Sequence, residues 1–441
     1  MIKHSLFVSA ALALLAVGAC KEDPIVDPTP QDSVVTIDAN TTELKGYMRG
    51  TLQSGKTYML TEDLIIPENE EIVIEPGVTV IAKASSGDIG PEITVHGSFF
   101  ALGSKAQPIL LSVPVADRTE ANVFTGLWGG VQGTDYTKAI VLKWCRVEYL
   151  GGQGGPSSPR AGKSRYGFYT NNPNTEFILE DCSIYGCVDD VYRSNGGKIH
   201  IVRNLLEFCG SDGGDGFNMK AGTVGNMAFN LFIGGATNAY KVSNEGSSIV
   251  QTNINVYNNI AINSGYRRAG LTRGANINYE VGARGYAFNN IVANNKRGMR
   301  VLEDADLTNI KFDYNWYYGA YKEQVDEFIP SDAVTPTQSV LGANNTIGGI
   351  GENDPMWTNV DLKAFTLAQF EAGVDQPLEM NKKGSNDYRL KAGSPCIGKG
   401  TTMWGPVDAG FTLTGTRGPS AANPHKDLGA FPTDNSGNPY F

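Results

Sequence analysis

The segment 181–220 repeats one unit at a fixed spacing of 22 residues, and this spacing constrains the fold more than any other feature of the sequence. The pairs at this offset are Cys182 and Asn204, Cys187 and Cys209, and Asp190 and Asp212. A constant offset of about 20 to 50 residues is typical of solenoids, in which each coil of chain lies on the coil before it. The sequence therefore predicts stacked coils.

Short alternating strands that each end in Cys or Asn extend the repeat on both sides of this segment. Their end residues are Cys145, Cys182, Asn204, Asn230, Asn259, Asn290 and Asn315. The strand pattern stays constant while the spacing varies, because insertions fall in the loops. An Asn side chain at a buried turn satisfies backbone groups that otherwise lack partners, and stacked Asn residues bond to each other. We predict a structural ladder here; the alternative is that these residues bind sugar or metal.

Composition and charge restrict the class of protein and its partners. The 53 glycines, 10% aromatic and 19% charged residues are typical of a turn-rich β protein. The net charge of −10 argues against nucleic acid or an anionic membrane surface as the main partner. Five cysteines follow Cys20, and this odd number argues against a disulfide framework.

The N-terminus has the features of an export signal. An apolar stretch, 6–16, is too short to span a bilayer and is followed by Val17-Gly18-Ala19-Cys20. This motif resembles a bacterial lipobox, which implies cleavage before Cys20 and a lipid on its thiol. The next residues, Lys-Glu-Asp, resemble the surface-export signal of Bacteroidota lipoproteins. We therefore expect a signal peptide at 1–19, an anchored tether at 20–35, and an outer-membrane lipoprotein facing the cell exterior. The alternatives are an ordinary signal peptide with an incidental cysteine and a plain anchored linker.

Three phrases in the first half of the chain carry a resemblance to a fold. They read IEPGVTVIAKA at 74–84, ITVHGSFFALGSKAQPILLSV at 93–113 and GLWGGVQG at 126–133. They resemble Bacteroidota surface proteins that form a right-handed parallel β-helix. We expect an all-β solenoid of roughly ten rungs over 36–441. Its last part, 321–441, is expected to be a less regular cap, which a solenoid needs to protect its open end.

Four aspartates in and after the repeated segment are candidate metal ligands: Asp189, Asp190, Asp212 and Asp215. The 22-residue offset places Asp190 and Asp212 on adjacent rungs, about one strand spacing apart. Like charges this close are unfavourable unless a cation joins them or one is protonated, and oxygen ligands suit Ca²⁺. The alternative is that the aspartates bond backbone amides of Gly-rich turns.

The residues around this cluster resemble the β-helical, calcium-dependent pectate lyases. Those enzymes carry D-D-G-F-D and G-F-K-L-G stretches, the second of which supplies the basic lysine. Here the first stretch ends in Arg193 instead of an acid, and the second has Asn218 at the position of the base. Lys220 follows two residues later, which keeps it on the same strand face. The resemblance makes Lys220 and Arg193 candidate catalytic residues, with Lys220 as the base.

Aromatic side chains offer candidate platforms for sugars. Tyr166 and Tyr169 lie in a Gly-rich insertion at 151–170, and Tyr317 and Tyr318 lie near the last regular rung. Exposed rings stack on sugar faces, whereas buried rings belong to a core under a loop.

These features lead to three hypotheses. The first is a non-catalytic accessory lipoprotein that binds glycan or another oligomer for nutrient uptake, docked on an outer-membrane importer of the starch-utilisation type. The second is a Ca²⁺-dependent polysaccharide lyase. The third is a structural or adhesive surface protein.

Overall fold

The computed structural model describes residues 33–84, 89–268, 274–330, 340–371 and 386–440. The chain divides into two compact units, Met1–Ser33 and Val34–Phe441, and all described residues except Ser33 belong to the second. Cys20, the signal peptide and most of the tether lie outside the described residues, so lipidation stays a prediction. No helix in the described part of the chain is long and apolar enough to cross a bilayer.

The strands of the second unit stack in three columns. The first column contains Glu71–Ile74, Ser98–Leu102, Ala139–Lys143, Glu176–Glu180, Lys198–Val202, Val224–Ala228, Asn253–Tyr257, Gly285–Phe288 and Ile310–Asp313. The second contains Thr79–Ala82, Ile109–Ser112, Cys145–Leu150, Ser183–Cys187, Leu205–Cys209, Leu231–Ile233, Ile260–Ile262, Ile291–Ala293 and Trp316–Tyr318. The third contains Ile93–Val95, Val131–Gly133, Phe168–Thr170, Tyr192–Asn195, Phe217–Lys220, Tyr240–Ser243, Ala275–Glu280 and Arg297–Val301. The opening strands are Val35–Thr36, Glu43–Leu52 and Thr57–Ile66.

Each strand pairs in parallel with the strands one coil before and after it in its column. Within the described residues, 29 strands join in this one sheet. Inward side chains of successive coils lie on each other; Phe217 and Tyr240, for example, are partners in the register, and their ring centroids are 5.9 Å apart. The prediction of an all-β parallel β-helix is confirmed.

The Asn ladder occupies the corner between the first and second columns. The backbone N–H of Cys145 donates to Sγ of Cys182 at 3.3 Å, and that of Cys182 donates to Oδ1 of Asn204 at 2.9 Å. The same bond repeats at every predicted position up to Asn315, which donates to Asn345 at 3.1 Å. The structural ladder is therefore confirmed, and it is one coil longer than predicted.

A left-handed backbone conformation precedes each ladder residue. These residues, with φ between 51° and 58°, are Trp144, Asp181, Arg203, Phe229, Asn258, Asn289 and Tyr314. This conformation is unfavourable for residues other than glycine. The ladder bonds compensate for it, because they satisfy the backbone groups that the sharp corner leaves unpaired. All five cysteines of the described chain are buried free thiols, as the composition indicates.

The region after the last coil contains little regular structure. Its elements are the helices Lys322–Asp326 and Leu367–Glu371 and the antiparallel strands Trp357–Asn359 and Asp387–Leu390. Short 3₁₀ helices occur at Val115–Asp117, Glu120–Asn122, Leu307–Asn309 and Gly415–Arg417.

The segment 404–422 runs back along the outer face of the first column, and we call it the strap. Gly405 accepts a hydrogen bond from Asn255 at 2.9 Å, whereas Arg417 pairs with Glu71 at 2.9 Å, many coils nearer the N-terminus. Glu176 accepts bonds from the backbone N–H groups of 412 and 413 at 2.6 and 2.9 Å. The C-terminal region thus does more than cap the last coil.

A second part of this region covers the outer face of the second column. Side chains from 357–362, 388–396 and 428–431 form one buried apolar cluster with outward residues such as Leu231 and Ile291. Because these segments lie against the first and second columns, outward side chains of the third column are the ones to consider for ligand binding.

Candidate functional site

A cavity of about 600 Å³ lies on the outward side of the third column. Its floor includes Arg193, Asn195 and Lys220, and Asn171 lies beside them. Asn195 pairs with Lys220 in the parallel register, just as Arg193 pairs with Asn218. Side chains alternate along a strand, so all four of these paired residues point outward. The opposite wall is the loop 245–250.

Lys220 is the most perturbed cation in the cavity. Only 5% of the residue is exposed, and its Nζ contacts the carboxylate of Glu245. Burial, together with the nearby charges of Lys241 and Arg193, lowers the pKa of Lys220 to about 8. The charges of Glu280 and Asp215 oppose this shift, whereas the side chain of Glu245 is 60% exposed, so solvent screens its charge. Lys220 therefore holds a substantial neutral fraction at mildly alkaline pH, as a proton acceptor requires.

Charged and amide side chains continue along the third column beyond the cavity. The parallel register aligns Arg193, Asn218, Lys241, Asn278 and Arg300 on successive strands. Lys241 pairs with Glu280 at 3.0 Å. Burial acts to raise the pKa of Glu280, but the ammonium of Lys241 holds it below its usual value. Most of this row is covered, since only 5% of Asn218 and 1% of Asn278 is exposed, so the open part of the face is the cavity around Arg193 and Asn195.

Asp190 lies buried behind the cavity floor with its oxygens engaged by donors. Its Oδ1 accepts the backbone N–H of Asp215 at 2.6 Å, and its Oδ2 accepts Nδ2 of Asn218 at 2.9 Å. Arg193 Nη1 lies 3.9 Å from Oδ2. Burial, followed by the charges of Asp215 and Asp189, raises the pKa of Asp190. Asp190 thus helps to position Asn218 and Arg193.

The predicted proximity of Asp190 and Asp212 is wrong. In the second column, Cys187 pairs with Cys209 at the expected offset of 22 residues. In the third-column strands that follow, however, paired residues are 25 positions apart in the sequence. The extra residues lie in the turn between the second and third columns. Because this turn is longer, Asp215 lies next to Asp190. Asp212 lies exposed in that turn, hydrogen-bonded to Ser211 at 3.3 Å.

The aspartates as placed do not fit a Ca²⁺ site. Asp215 Oδ1 accepts the backbone N–H and Nδ2 of Asn238 at 3.1 and 2.7 Å, as well as the hydroxyl of Thr237. Asp189 Oδ1 accepts the N–H of Asp190 at 2.9 Å, and its Oδ2 lies 4.0 Å from Arg160. No group of three or more His, Cys, Asp or Glu residues in the described ranges could hold a metal ion. The arrangement matches the alternative interpretation, in which the aspartates bond turn amides.

Tyr166 and Tyr169 lie beside the cavity and position its residues. Tyr166 is buried between two guanidinium groups, with the carbon of Arg160 at 3.9 Å and that of Arg193 at 5.2 Å from the ring centroid. Its hydroxyl accepts a hydrogen bond from Arg193 at 2.9 Å. The hydroxyl of Tyr169, which is partly exposed, accepts Nδ2 of Asn195 at 3.0 Å. Tyr166 therefore orients Arg193 and does not present its ring to a sugar.

Tyr317 and Tyr318 belong to the packed interior and not to the cavity. Both are buried, and the ring of Tyr317 lies 5.4 Å from that of Phe328. The expectation that these two rings form an exposed platform is wrong, because Tyr317 points inward and the C-terminal region covers Tyr318.

Asn171, Asn195 and Glu245 line the cavity but were not among the sequence candidates. Asn195 precedes Lys220 by the same 25 residues that separate Arg193 from Asn218, so alignment of the third column would have found it. Glu245 lies in a loop outside the repeat, and no sequence signal marks it.

Comparisons with known proteins give limited information. No protein family model and no curated protein matches the chain. Among solved structures, the chain is similar to pectate lyase Pel9A, with 14% identity, a TM-score of 0.37, and coverage of 87% of this chain and 86% of that chain. The distant similarity to a pectate lyase that the sequence indicates is therefore found, but a similarity this low carries no argument about activity.

Proposed function

We propose that this protein binds an acidic glycan in the third-column cavity, as a non-catalytic lipoprotein on the outer surface of the outer membrane. The observation that carries the proposal is the set of groups on the cavity floor. Arg193 and Lys220 supply positive charge, and Asn171 and Asn195 supply amides. A guanidinium or ammonium group binds a sugar carboxylate through charge-assisted hydrogen bonds, and amides suit sugar hydroxyls.

The size and surroundings of the cavity support this proposal. Its volume of about 600 Å³ lies within the usual range for small-ligand sites, and it would hold a short segment of a longer polymer. The chain as a whole carries a net charge of −10, so a local pair of cations is a selective feature and not the consequence of a basic surface.

The proposed location rests on the N-terminal motif, and the proposed partner rests on that motif together with the sequence resemblance to pectate lyases. We propose that lipid on Cys20 anchors the protein and that it docks on an outer-membrane importer, to which it delivers glycan. Affinity purification from native outer membranes tests the docking; recovery of the lipoprotein without an importer would contradict it.

Lys220 favours β-elimination as a second candidate function. A base with a pKa of about 8 can remove the C5 proton of a uronate at mildly alkaline pH. Arg193 would neutralise the carboxylate while the C4–O bond breaks, a C4–C5 double bond forms and the leaving oxygen takes a proton from water. No metal enters this scheme.

Binding and product assays on one protein separate these functions. The mature chain is titrated with polygalacturonate, alginate and a neutral glucan, and absorbance reports any unsaturated product. We expect binding of an acidic polymer without product, weakened at least about tenfold in Arg193→Gln. Arg389→Gln, which removes an exposed arginine paired with Asp387, is the matched control and should bind as wild type. Product formation that Lys220→Met abolishes would establish the lyase, and absence of all glycan binding would favour a structural or adhesive role.

A further inference from the structure

The ammonium group of Lys220 is covered by the carboxylate of Glu245. Lys220 is almost fully buried, whereas the side chain of Glu245 is 60% exposed. This asymmetry shows that Glu245 reaches into the cavity from the solvent side, while Lys220 belongs to the floor. Both residues line the cavity, so the ion pair lies at the position where a ligand would meet Lys220.

The loop that carries Glu245 forms the cavity wall and packs closely on the floor. Ser248 lies against Gly222, in the turn that follows Lys220, and any side chain at Gly222 would clash with it. Ile249 and Val250, at the tip of the loop, are exposed apolar residues on the rim. The side chain of Ser248 and the backbone of Val250 thus pack against Gly222 and hold Glu245 over Lys220, while the side chains of Ile249 and Val250 are exposed.

The other charges around Lys220 have their own partners. Lys241 pairs with Glu280 at 3.0 Å, and Arg193 lies 3.9 Å from Asp190 and donates to Tyr166. Glu245 is thus the carboxylate in direct contact with Lys220, while Glu280 and Asp215 also favour its charged form. A ligand carboxylate that reaches Lys220 must replace the Glu245 carboxylate. The replacement costs little desolvation, because Glu245 is already mostly hydrated.

From this geometry we infer that Glu245 is a specificity-determining residue, which occupies the carboxylate subsite on Lys220 until an acidic sugar exchanges with it. The inference rests on the proposed glycan-binding function and names one subsite within it. A neutral sugar brings no carboxylate to replace Glu245, so it leaves the Lys220–Glu245 pair in place and cannot use Lys220. An acidic sugar gains Lys220 by exchange, at reduced affinity because it competes with Glu245.

Substitution of Glu245 tests the exchange directly. In Glu245→Gln the ammonium of Lys220 loses its competitor, so we expect trigalacturonate to bind about tenfold more tightly, a difference of about 1.4 kcal/mol. A neutral trisaccharide brings no carboxylate to the freed ammonium, so it should gain less affinity, and the preference for trigalacturonate should rise. Glu303→Gln removes an exposed carboxylate outside the cavity and should leave both affinities unchanged. Unchanged or weaker binding of trigalacturonate to Glu245→Gln would overturn the inference.

A second measurement separates failure of this inference from failure of the proposed function. Acetylation of Lys220, followed by mass spectrometry, reports how well Glu245 covers the amine when no glycan is present. We expect acetylation severalfold faster in Glu245→Gln than in wild type or Glu303→Gln. If acetylation is not faster, Glu245 does not cover Lys220 and the inference fails, whatever the protein binds. If acetylation is faster but no acidic glycan binds in an Arg193-dependent manner, the glycan-binding function fails, and with it the assignment of the subsite.

Discussion

Asn259 lies in the middle of the Asn ladder, and we predict that Asn259→Ala lowers the free energy of unfolding by about 3–5 kcal/mol. Only 1% of the residue is exposed. Its Oδ1 accepts the backbone N–H and Nδ2 of Asn230 at 2.9 and 3.0 Å. Its Nδ2 donates to the carbonyls of Met227 and Tyr257 and to Oδ1 of Asn290, each at 3.0 Å.

The magnitude follows from what the truncation leaves behind. The N–H of Asn230 loses its acceptor in a buried corner, which costs about 1–3 kcal/mol. The carbonyl of Met227 loses a donor, and the missing amide leaves a small cavity, which together add a similar amount. The left-handed residue Asn258 precedes this position, so the corner also loses bonds that hold its unfavourable conformation.

Chemical denaturation of the purified mature protein measures the effect. Asn40→Ala, in an exposed turn near the start of the solenoid, is the matched control, and surface changes of this kind usually alter stability by less than about 0.5 kcal/mol. Asn259→Asp is a second variant, because it keeps the acceptor and removes the donor. If Asn259→Ala is no less stable than Asn40→Ala, the ladder does not stabilise the solenoid and the reasoning is refuted.

Three further predictions concern pH and the cavity. The raised pKa of Asp190 means that the folded protein favours the protonated form of this carboxyl. The free energy of unfolding of the wild type, relative to that of Asp190→Asn, should therefore decline as pH rises above about 3.9. A difference between the two proteins that stays constant with pH would contradict this. The strap N–H groups lower the pKa of Glu176 against the effect of burial, so wild type should lose stability as pH falls below about 4.3, with a smaller loss in Glu176→Gln. An equal loss of stability in wild type and in Glu176→Gln would argue that the strap does not stabilise the ionised form of Glu176. Tyr166→Phe removes the hydroxyl that orients Arg193 but keeps the ring, so it should weaken acidic-glycan binding severalfold without a change in Tm. Unchanged affinity, measured by calorimetry, would show that Arg193 needs no such support.

Much of the fold was predictable from the sequence, because its causes are local and repeat. The alternation of inward and outward side chains recurs along the solenoid, and a Cys or Asn stands at each corner from Cys145 to Asn315. The spacing of Asn204 and Asn230 therefore predicted that these coils stack and which residues of the first two columns lie opposite each other. The lipobox around Cys20 is also a purely sequential signal, and it stays a prediction.

The candidate site was only partly predictable, because it depends on loop lengths. Lys220 and Arg193 lie on strands, and their outward direction follows from alternation. The turn that holds Asp212 lengthens one coil, and a 22-residue period cannot show that Asp215 takes its place beside Asp190. Likewise, burial of Tyr166 depends on two arginines from different coils.

The sequence by itself determined the solenoid, its ladder and the strand that carries Lys220, because each of these depends on neighbours one coil away along a regular period. Only the tertiary structure decided which columns the C-terminal segments cover. The strap joins residues as distant as Glu71 and Arg417, and the loop of Glu245 folds over Lys220 outside any repeat. Contacts of this kind depend on how irregular segments pack against the finished coil, so no period in the sequence encodes them.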